Sequence, residues 1–356
     1  MKILFVLEHF YPDKGGVERL FLSLATELAK EYHDITVITS RTDNSQAKEE
    51  IYQGIKIIRL PFSNRFLFTF FSLPYILKYA NQVDLIHTTS YNAALPAWLA
   101  SVLTRKKCII TFHEVWDSLW WSLPYYFFGV RLLFYLFEKI ILALPFDQYI
   151  AVSDSTKKAL IKSGIDTRKI TMIYNGINYD SFTKFIHEPP QTPTICYYGR
   201  LGASKGLDNL LDALQNIKSR YKLLLIIPKQ PAFILKQVLK KLEQNQLIDK
   251  TTIKHNLSDE ELFSTISKTS FVVIPSLSEG FCFNAVECSA MQIPVVASHN
   301  TALLETVSGK HIYIQNNDIE SSINKALQAD WQNIEFKKFE LSKTVQEYKD
   351  LYRLVI

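Results

Sequence analysis

Residues 275–290, "PSLSEGFCFNAVECSA", follow the apolar run Phe271-Val272-Val273-Ile274 and place Glu279 and Glu287 eight positions apart, with Gly280 between them. A buried strand that ends in Pro-Ser and turns through Glu-Gly into a helix delivers its loop to the carboxyl edge of a sheet. Open α/β proteins bind their ligands at that edge. The spacing predicts Glu279 in the loop and Glu287 inside the helix.

On both sides of this stretch, apolar runs of four to six residues alternate with amphipathic stretches of ten to seventeen, the βαβ rhythm of parallel sheets. Strands are expected near 2–7, 35–39, 55–60, 83–87, 107–112, 147–152 and 169–173, then near 194–198, 222–227, 251–254, 270–274 and 294–297. The two series are separated by "DSFTKFIHEPPQTPT", 180–194, where three prolines cluster. A chain of 356 residues is too long for one ordinary core. The pattern therefore predicts two doubly wound α/β domains facing across a cleft. The domains are expected over 1–175 and 176–339, with the tail 340–356 packing back on the first.

With 47% hydrophobic residues the chain reads as globular, and its net charge of +5 is too mild to indicate a nucleic-acid partner. Cys108, Cys196, Cys282 and Cys288 lack CxxC spacing, and three of them sit in apolar or small-residue contexts typical of reduced core thiols, so a cytoplasmic setting is expected. The start, Met1 to Leu7, reads as a first buried strand that runs directly into Glu8 and His9.

Residues 116–145, "WDSLWWSLPYYFFGVRLLFYLFEKIILALP", break the rhythm: three tryptophans and many other aromatics surround only Asp117, Arg131, Glu138 and Lys139. The longest uncharged run, Ser118 to Val130, spans 13 residues and contains Pro124 and Gly129, which is too short and too broken to cross a bilayer as a helix. Two readings fit. The segment either lies on a membrane surface or grips a lipid tail, or it forms a helix pair in a core or dimer interface. A second aromatic patch, "RFLFTFFSLPYILKY", lies at 65–79.

"FYPDKGGVERLFLSLATELAK", 10–30, follows the first strand. Gly15 and Gly16 allow a tight turn, and a helix beginning near Val17 presents its positive end to an anion such as a diphosphate. A plain turn is the alternative. "YYGRLGASKGLDNLLDAL", 197–214, repeats the arrangement, with Arg200 and Lys205 flanking a glycine-containing loop where a phosphate charge could be neutralised. Each cation alone is more often a solvated surface charge.

Taken together, the E-x7-E segment "SEGFCFNAVECSAMQIPVVAS", "GGVER", "GRLGASKG", "AVSDSTKKAL" and "YNGIN" resemble the retaining GT-B glycosyltransferases, in particular family 4, over nearly the whole chain. The resemblance implies a hexose-type sugar moved from a UDP- or GDP-sugar to a glycan or lipid-linked acceptor held by the first domain. It implies that Glu287 holds the ribose hydroxyls, that Glu279 meets a donor-sugar hydroxyl beside Gly280, and that the N–H groups of Phe281 and Cys282 lie close to sugar or phosphate. Gly15 and Gly16 then approach the diphosphate, Arg200 and Lys205 bind it, and His113 of "TFHEVWD" contacts the sugar near the reacting carbon. Without the resemblance His113 reads as a core or loop histidine. The chemistry implied is front-side substitution with retention, without a carboxylate nucleophile, a metal or a cofactor beyond the nucleotide sugar. Catalysis then comes chiefly from stabilising charge on the leaving diphosphate.

The sequence departs from that pattern at "LLLIIPKQPAF", 223–233, where relatives carry a glycine-rich turn, and at His299, Asn300 and Thr301 after the "PVVAS" strand. The first departure leaves room for a noncatalytic nucleotide-sugar-binding scaffold on the same architecture. An epimerase is the further alternative.

Overall fold

The apolar runs pair as parallel strands, and the amphipathic stretches become the crossovers that parallel pairing requires. The structure, a computed structural model, describes residues 1–13, 15–31, 33–123 and 126–356. The chain begins with β1 (Lys2–Val6), α1 (Gly16–Lys30), β2 (Asp34–Ser40), β3 (Glu49–Tyr52), β4 (Ile55–Leu60), α2 (Arg65–Phe71), α3 (Leu73–Ala80) and β5 (Leu85–Thr89). It continues with α4 (Ala94–Thr104), β6 (Lys107–Phe112), α5 (Phe128–Ala143), β7 (Gln148–Ala151), α6 (Asp154–Lys162) and β8 (Ile170–Met172). Next come β9 (Thr194–Tyr198), α7 (Leu207–Leu214), β10 (Lys222–Ile226), α8 (Ala232–Gln244), β11 (Thr251–Lys254), α9 (Asp259–Ile266) and β12 (Phe271–Ile274). The last elements are α10 (Phe283–Ala290), β13 (Val295–Ser298), α11 (Leu303–Thr306), β14 (Gly309–Ile314), α12 (Ile319–Leu327), β15 (Gln332–Ile334) and α13 (Leu341–Val355). Two compact units result: one contains Met1–Ser122, Phe127–Ile177 and Phe339–Ile356, and the other is built on Asn178–Lys338.

The sheet of the first unit has the order β3-β4-β2-β1-β5-β6-β7-β8. Strand periodicity divides its side chains between two layers. Leu4, Val6, Ile86, Ile110 and Phe112 join the core with Phe68, Ile76, Ala97, Ile141 and Leu160 of α2 to α6. On the opposite face, Phe5 packs edge-on against Phe21 of α1 at 5.4 Å, and His87 lies 5.6–5.7 Å from the rings of Tyr348 and Tyr352 of α13. α13 is thus part of this unit. Gly176 is pressed against its start: a Cβ there would stand 2.5 Å from Leu341 Cα and 2.6 Å from the Glu340 carbonyl, so no side chain fits.

The second sheet has the order β11-β10-β9-β12-β13-β14-β15 and is parallel except at β15. Its helices bury apolar stripes such as Leu207, Leu210, Leu211 and Leu214 of α7. Three strands carry no continuous apolar run and were absent from the sequence expectation. β3 (EEIY) and β15 (QNI) are antiparallel edge strands open to solvent, and β14 (GKHIYI) contains Lys310 and His311. Strands with one solvated face, or polar residues within, lose the signal that fully buried parallel strands give.

Of residues 116–145, Asp117–Ser122 form a 3-10 helix and Phe128–Ala143 form α5, so the described part is not a pair of α-helices. Pro124 lies outside the described residues. α5 buries only Glu138, Ile141 and Leu142, while Phe128, Leu133, Leu136 and Ile140 are exposed, so most of this aromatic segment does not fill the core. Among the described residues no helix is long and apolar enough to cross a membrane.

His87 is fully buried, with Nδ1 2.7 Å from the Tyr352 hydroxyl and Nε2 2.8 Å from Thr111 Oγ1. Burial, aided by the neighbouring His113, pushes its pKa down to about 3. The unfolded chain takes up this proton below its ordinary pKa of about 6.5, and the folded chain does not until about 3, so stability rises with pH through that window. Urea unfolding of this unit should therefore show a loss of about 2 kcal/mol at pH 5 relative to neutral pH from this group alone. The difference should shrink in His87→Gln; an unchanged pH dependence would show that His87 is not held neutral.

Candidate active site

In a doubly wound sheet the crevice opens where strand order reverses. In the second unit that point lies between β9 and β12. The segment after β9 contains Gly199, exposed Arg200, a 3-10 turn at Ala203–Lys205, and Gly206, which caps α7 at φ +67°. The segment after β12 contains Pro275 to Cys282 and enters α10.

These two segments are fastened together. Leu277 N–H donates to the Ser204 carbonyl at 2.7 Å, and a Cβ on Gly206 would stand 2.0 Å from the Pro275 carbonyl oxygen. Only glycine combines that approach with a left-handed backbone. The turn after β13 adds a third tie. Asn300 Nδ2 donates to the Ser276 and Leu277 carbonyls, both at 3.0 Å, and Glu279 N–H donates to Thr301 Oγ1 at 3.0 Å.

The fastened loops bring Lys205 and Glu279 into contact. Lys205 Nζ and Ser276 Oγ both donate to Glu279 Oε1 at 2.7 Å. Burial works against the charge on Lys205, but the Glu279 carboxylate outweighs it and holds the ammonium above its ordinary range. Arg200 does not join this pair; among the described residues its side chain makes no hydrogen bond or ion pair.

Glu279 lies in the loop and Glu287 lies in α10, where it is 3% exposed. The Tyr198 hydroxyl stands 3.0 Å from Glu287 Oε2 and 3.1 Å from the Asn284 carbonyl, and Asn284 Nδ2 donates to the Tyr198 carbonyl at 2.6 Å. Burial, then the neighbouring Cys288 and Glu287, keep the Tyr198 hydroxyl far above its ordinary pKa, so it remains a donor. Between the two glutamates, Gly280 and Phe281 are buried and Cys282 adopts φ +67° as the residue before α10. That left-handed conformation costs a non-glycine residue about 1–2 kcal/mol. Burial raises the Cys282 thiol well above its ordinary range, which removes it as a nucleophile.

In the first unit, Gly15 caps α1 and Gly16 is its first residue, with no side chain capping the helix. One expectation is corrected here. Gly15 has φ −175°, extended backbone open to any residue, so no tight turn requires glycine at this position. What lies close is the tip of Glu18, whose Oε2 would stand 2.2 Å from a Cβ on Gly15. Lys14 lies outside the described residues. His113, directly after β6, is half-buried with its ring 6.3 Å from that of Phe21.

Several polar residues of these edges were not singled out from sequence. Ser276, Tyr198 and Asn284 are such residues in the second unit, whereas Asn300 and Thr301 stood out only as a departure from the family pattern. In the first, Glu8 Oε1 receives Arg65 Nε at 3.1 Å and His9 Nε2 at 3.2 Å, while His9 Nδ1 meets Asp13 Oδ2 at 3.0 Å. Burial opposes the charge on His9, yet Asp13 and Glu8 together raise its pKa to about 9. Position was the only available signal, since most of these residues lie in the segments that follow a strand's carboxyl end. Among the described residues no group of three or more His, Cys, Asp or Glu could hold a metal ion.

Comparison with known proteins adds to this geometry. Residues 14–181 match Glycosyltransferase Family 4, and residues 180–335 match Glycosyl transferases group 1. GDP-mannose:cellobiosyl-diphosphopolyprenol alpha-mannosyltransferase of Xanthomonas campestris is 24% identical over 92% of this chain and 88% of its own length. The O-antigen biosynthesis glycosyltransferase WbnH of Escherichia coli is 25% identical over 96% of each chain. Among solved structures, sucrose-phosphate synthase from Thermosynechococcus elongatus superposes with a TM-score of 0.84 at 21% identity, covering 99% of this chain and 98% of the other. Anabaena HepE in complex with UDP-glucose superposes with a TM-score of 0.77 at 16% identity, covering 99% of this chain and 100% of the other. These structural likenesses identify the fold as GT-B, with two Rossmann-like domains.

Gly206→Ala should destabilise the second unit by at least about 1–2 kcal/mol, because it puts a side chain on a left-handed residue and against a carbonyl. Gly202→Ala, whose Cβ meets nothing within 4 Å, serves as the control in the same urea titration. Equal midpoints for the two variants would show that the Gly206 approach does not constrain the fold.

Proposed function

This chain belongs to the glycosyltransferases, with a Family 4 half followed by a group 1 half, and from that premise we propose that it moves a hexose from a GDP- or UDP-sugar to a lipid-linked glycan with retention at the sugar carbon. The observation that carries the reading is the Lys205–Glu279 pair, 2.7 Å apart at the strand-order reversal, with Glu287 on the adjoining helix. A ligand with a ribose, a diphosphate and a sugar suits this combination of two carboxylates and two cations. Glu287 accepts hydrogen bonds from the ribose hydroxyls, and each such bond to a charged group contributes about 1.5–3 kcal/mol. Glu279 accepts one from the sugar, and Arg200 and Lys205 neutralise the diphosphate as it departs.

Lys205 is already held by Glu279, so it is positioned before the donor arrives and needs little reorganisation. Arg200 is exposed and takes its place on binding. The N–H groups of Phe281 and Cys282 face sugar or phosphate, Gly15 and Gly16 allow the α1 edge to approach the diphosphate, and His113 meets the donor sugar. A departing diphosphate oxygen takes the acceptor's proton on the face it leaves, so neither glutamate serves as nucleophile. Charge stabilisation by Arg200 and Lys205 makes a metal ion unnecessary, and no cofactor beyond the donor is required.

GDP-mannose is the first donor to test, because the Xanthomonas relative is named for it and a Salmonella O-antigen chain mannosyltransferase is 29% identical over 48% of this chain. The lipid-linked acceptor is supported by that relative's diphosphopolyprenol substrate and by exposed apolar side chains of the first unit: Phe70 and Phe71 of α2, Tyr75 of α3, and Phe128 and Ile140 of α5. Such side chains suit peripheral contact with the cytoplasmic side of a membrane, through 116–145 and α2, in polysaccharide or glycolipid assembly.

Thermal unfolding with a panel of GDP-, UDP- and ADP-sugars tests the donor site, since ligand at 100 times its Kd adds about 2.7 kcal/mol. A selective shift that disappears in Glu287→Ala is expected. No shift with any nucleotide sugar in folded protein would overturn the donor-site reading in favour of a scaffold. With the donor identified, Lys205→Ala should lower kcat by about 10²–10³, and chelators should leave the rate unchanged.

Flotation with vesicles of anionic phospholipid tests the surface contact. Phe70→Ser with Phe128→Ser should reduce the bound fraction severalfold without altering the unfolding temperature; equal binding would remove these side chains from the proposal.

A further inference from the structure

The aromatic segment contains one charge that the reading above leaves unused. Glu138 is fully buried in α5, beside Ile141 and Leu142, with no cation bonded to its carboxylate among the described residues. Three donors satisfy it instead. Oε1 accepts from Trp116 N–H at 2.8 Å and from the Tyr91 hydroxyl at 2.9 Å, and Oε2 accepts from Asp117 N–H at 2.7 Å. A buried carboxylate costs several kcal/mol unless it is hydrogen-bonded, and an apolar side chain of similar size would fill the same space without that cost. What an apolar side chain would not do is hold two successive backbone N–H groups of an irregular turn.

That turn is the continuation of β6 through His113. Trp116 and Asp117 are the third and fourth residues after it, and the Tyr91 hydroxyl also stands 3.1 Å from the carbonyl of Glu114, its immediate neighbour. Tyr91 itself is at φ +80° after β5, and Asp117 is at φ +44°. Such conformations persist in non-glycine residues where the surroundings over-determine them. The next residue of α5 contributes as well, with Lys139 Nζ holding Asp117 Oδ1 at 2.8 Å. Burial and then the Glu138 carboxylate keep the Tyr91 hydroxyl protonated, so it stays a donor throughout the working pH range. The carboxylate therefore ties together the chain leaving β5 and the chain leaving β6, on either side of His113.

We propose that Glu138 is a positioning residue for His113, acting through the backbone of residues 114–117. The inference rests on the role assigned to His113 above. It also explains why a helix rich in Phe, Leu, Tyr and Ile contains one buried acid: Glu138 anchors the turn that follows His113.

Glu138→Gln retains one acceptor oxygen and loses the other, which leaves one of the two N–H groups unsatisfied. The expected result is a kcat reduced by about 10- to 100-fold with donor KM within about twofold, the size of effect that a misplacement of about 1 Å produces. Tyr91→Phe, a milder change, should give a loss of the same kind and smaller size. Combined with His113→Ala, Glu138→Gln should add nothing further, because both act on one group.

A second readout does not depend on turnover. The ring resonance of His113, assigned by its absence in His113→Gln, should shift in Glu138→Gln and Tyr91→Phe, and its titration midpoint should move. An unchanged resonance and unchanged kcat in folded Glu138→Gln would overturn the proposal, as would losses that add to those of His113→Ala. A shifted resonance with a His113→Ala variant of full activity would instead overturn the role of His113 and leave the positioning intact.

Discussion

A parallel sheet must be buried on both faces, and that constraint organises each unit of this protein. Except at the antiparallel edge strands β3 and β15, neighbouring strands run the same way, so the connections between them must cross back over a face, and most of these crossovers are amphipathic helices. In the first unit, strand side chains of one parity meet α2 to α6, and those of the other parity meet α1 and α13. The exits of the parallel strands then fall along one edge. Polar groups gather there because the faces have no place for them.

The charges that do enter the interior are resolved in different ways. His87 gives up its charge and bonds as a neutral ring to Tyr352 and Thr111. Lys205 keeps its charge because Glu279 lies 2.7 Å away. Glu138 is bonded by three donors on the chain around it rather than by a cation. Pairing and donor number, rather than burial alone, separate these outcomes.

The edge of the second sheet is tied together partly by the turn after β13. Asn300 and Thr301 bind the carbonyls of Ser276 and Leu277 and the N–H of Glu279. They therefore fasten the loop that presents Glu279. Together with Gly206 against Pro275, they make three separate strand exits into one polar surface. A change at any of these positions acts on Glu279 without touching a ligand.

Much of the architecture was legible in sequence because buried parallel strands are continuous apolar runs and their crossovers have a helical period. The Phe271–Ile274 run, the Glu279–Gly280 turn and Glu287 inside a helix needed nothing more than that pattern. β3, β14 and β15 were not legible, because edge exposure or polar residues erased the run. Nor did the sequence show that Lys205 and Glu279, 74 positions apart, share a hydrogen bond, or that Asn300 and Thr301 support the same loop. The sequence by itself determined periodicity, burial and the residue types at strand ends, since these depend on neighbours a few positions away. Tertiary structure alone decided which side chains meet, because the order of strands in a sheet sets which distant exits become adjacent.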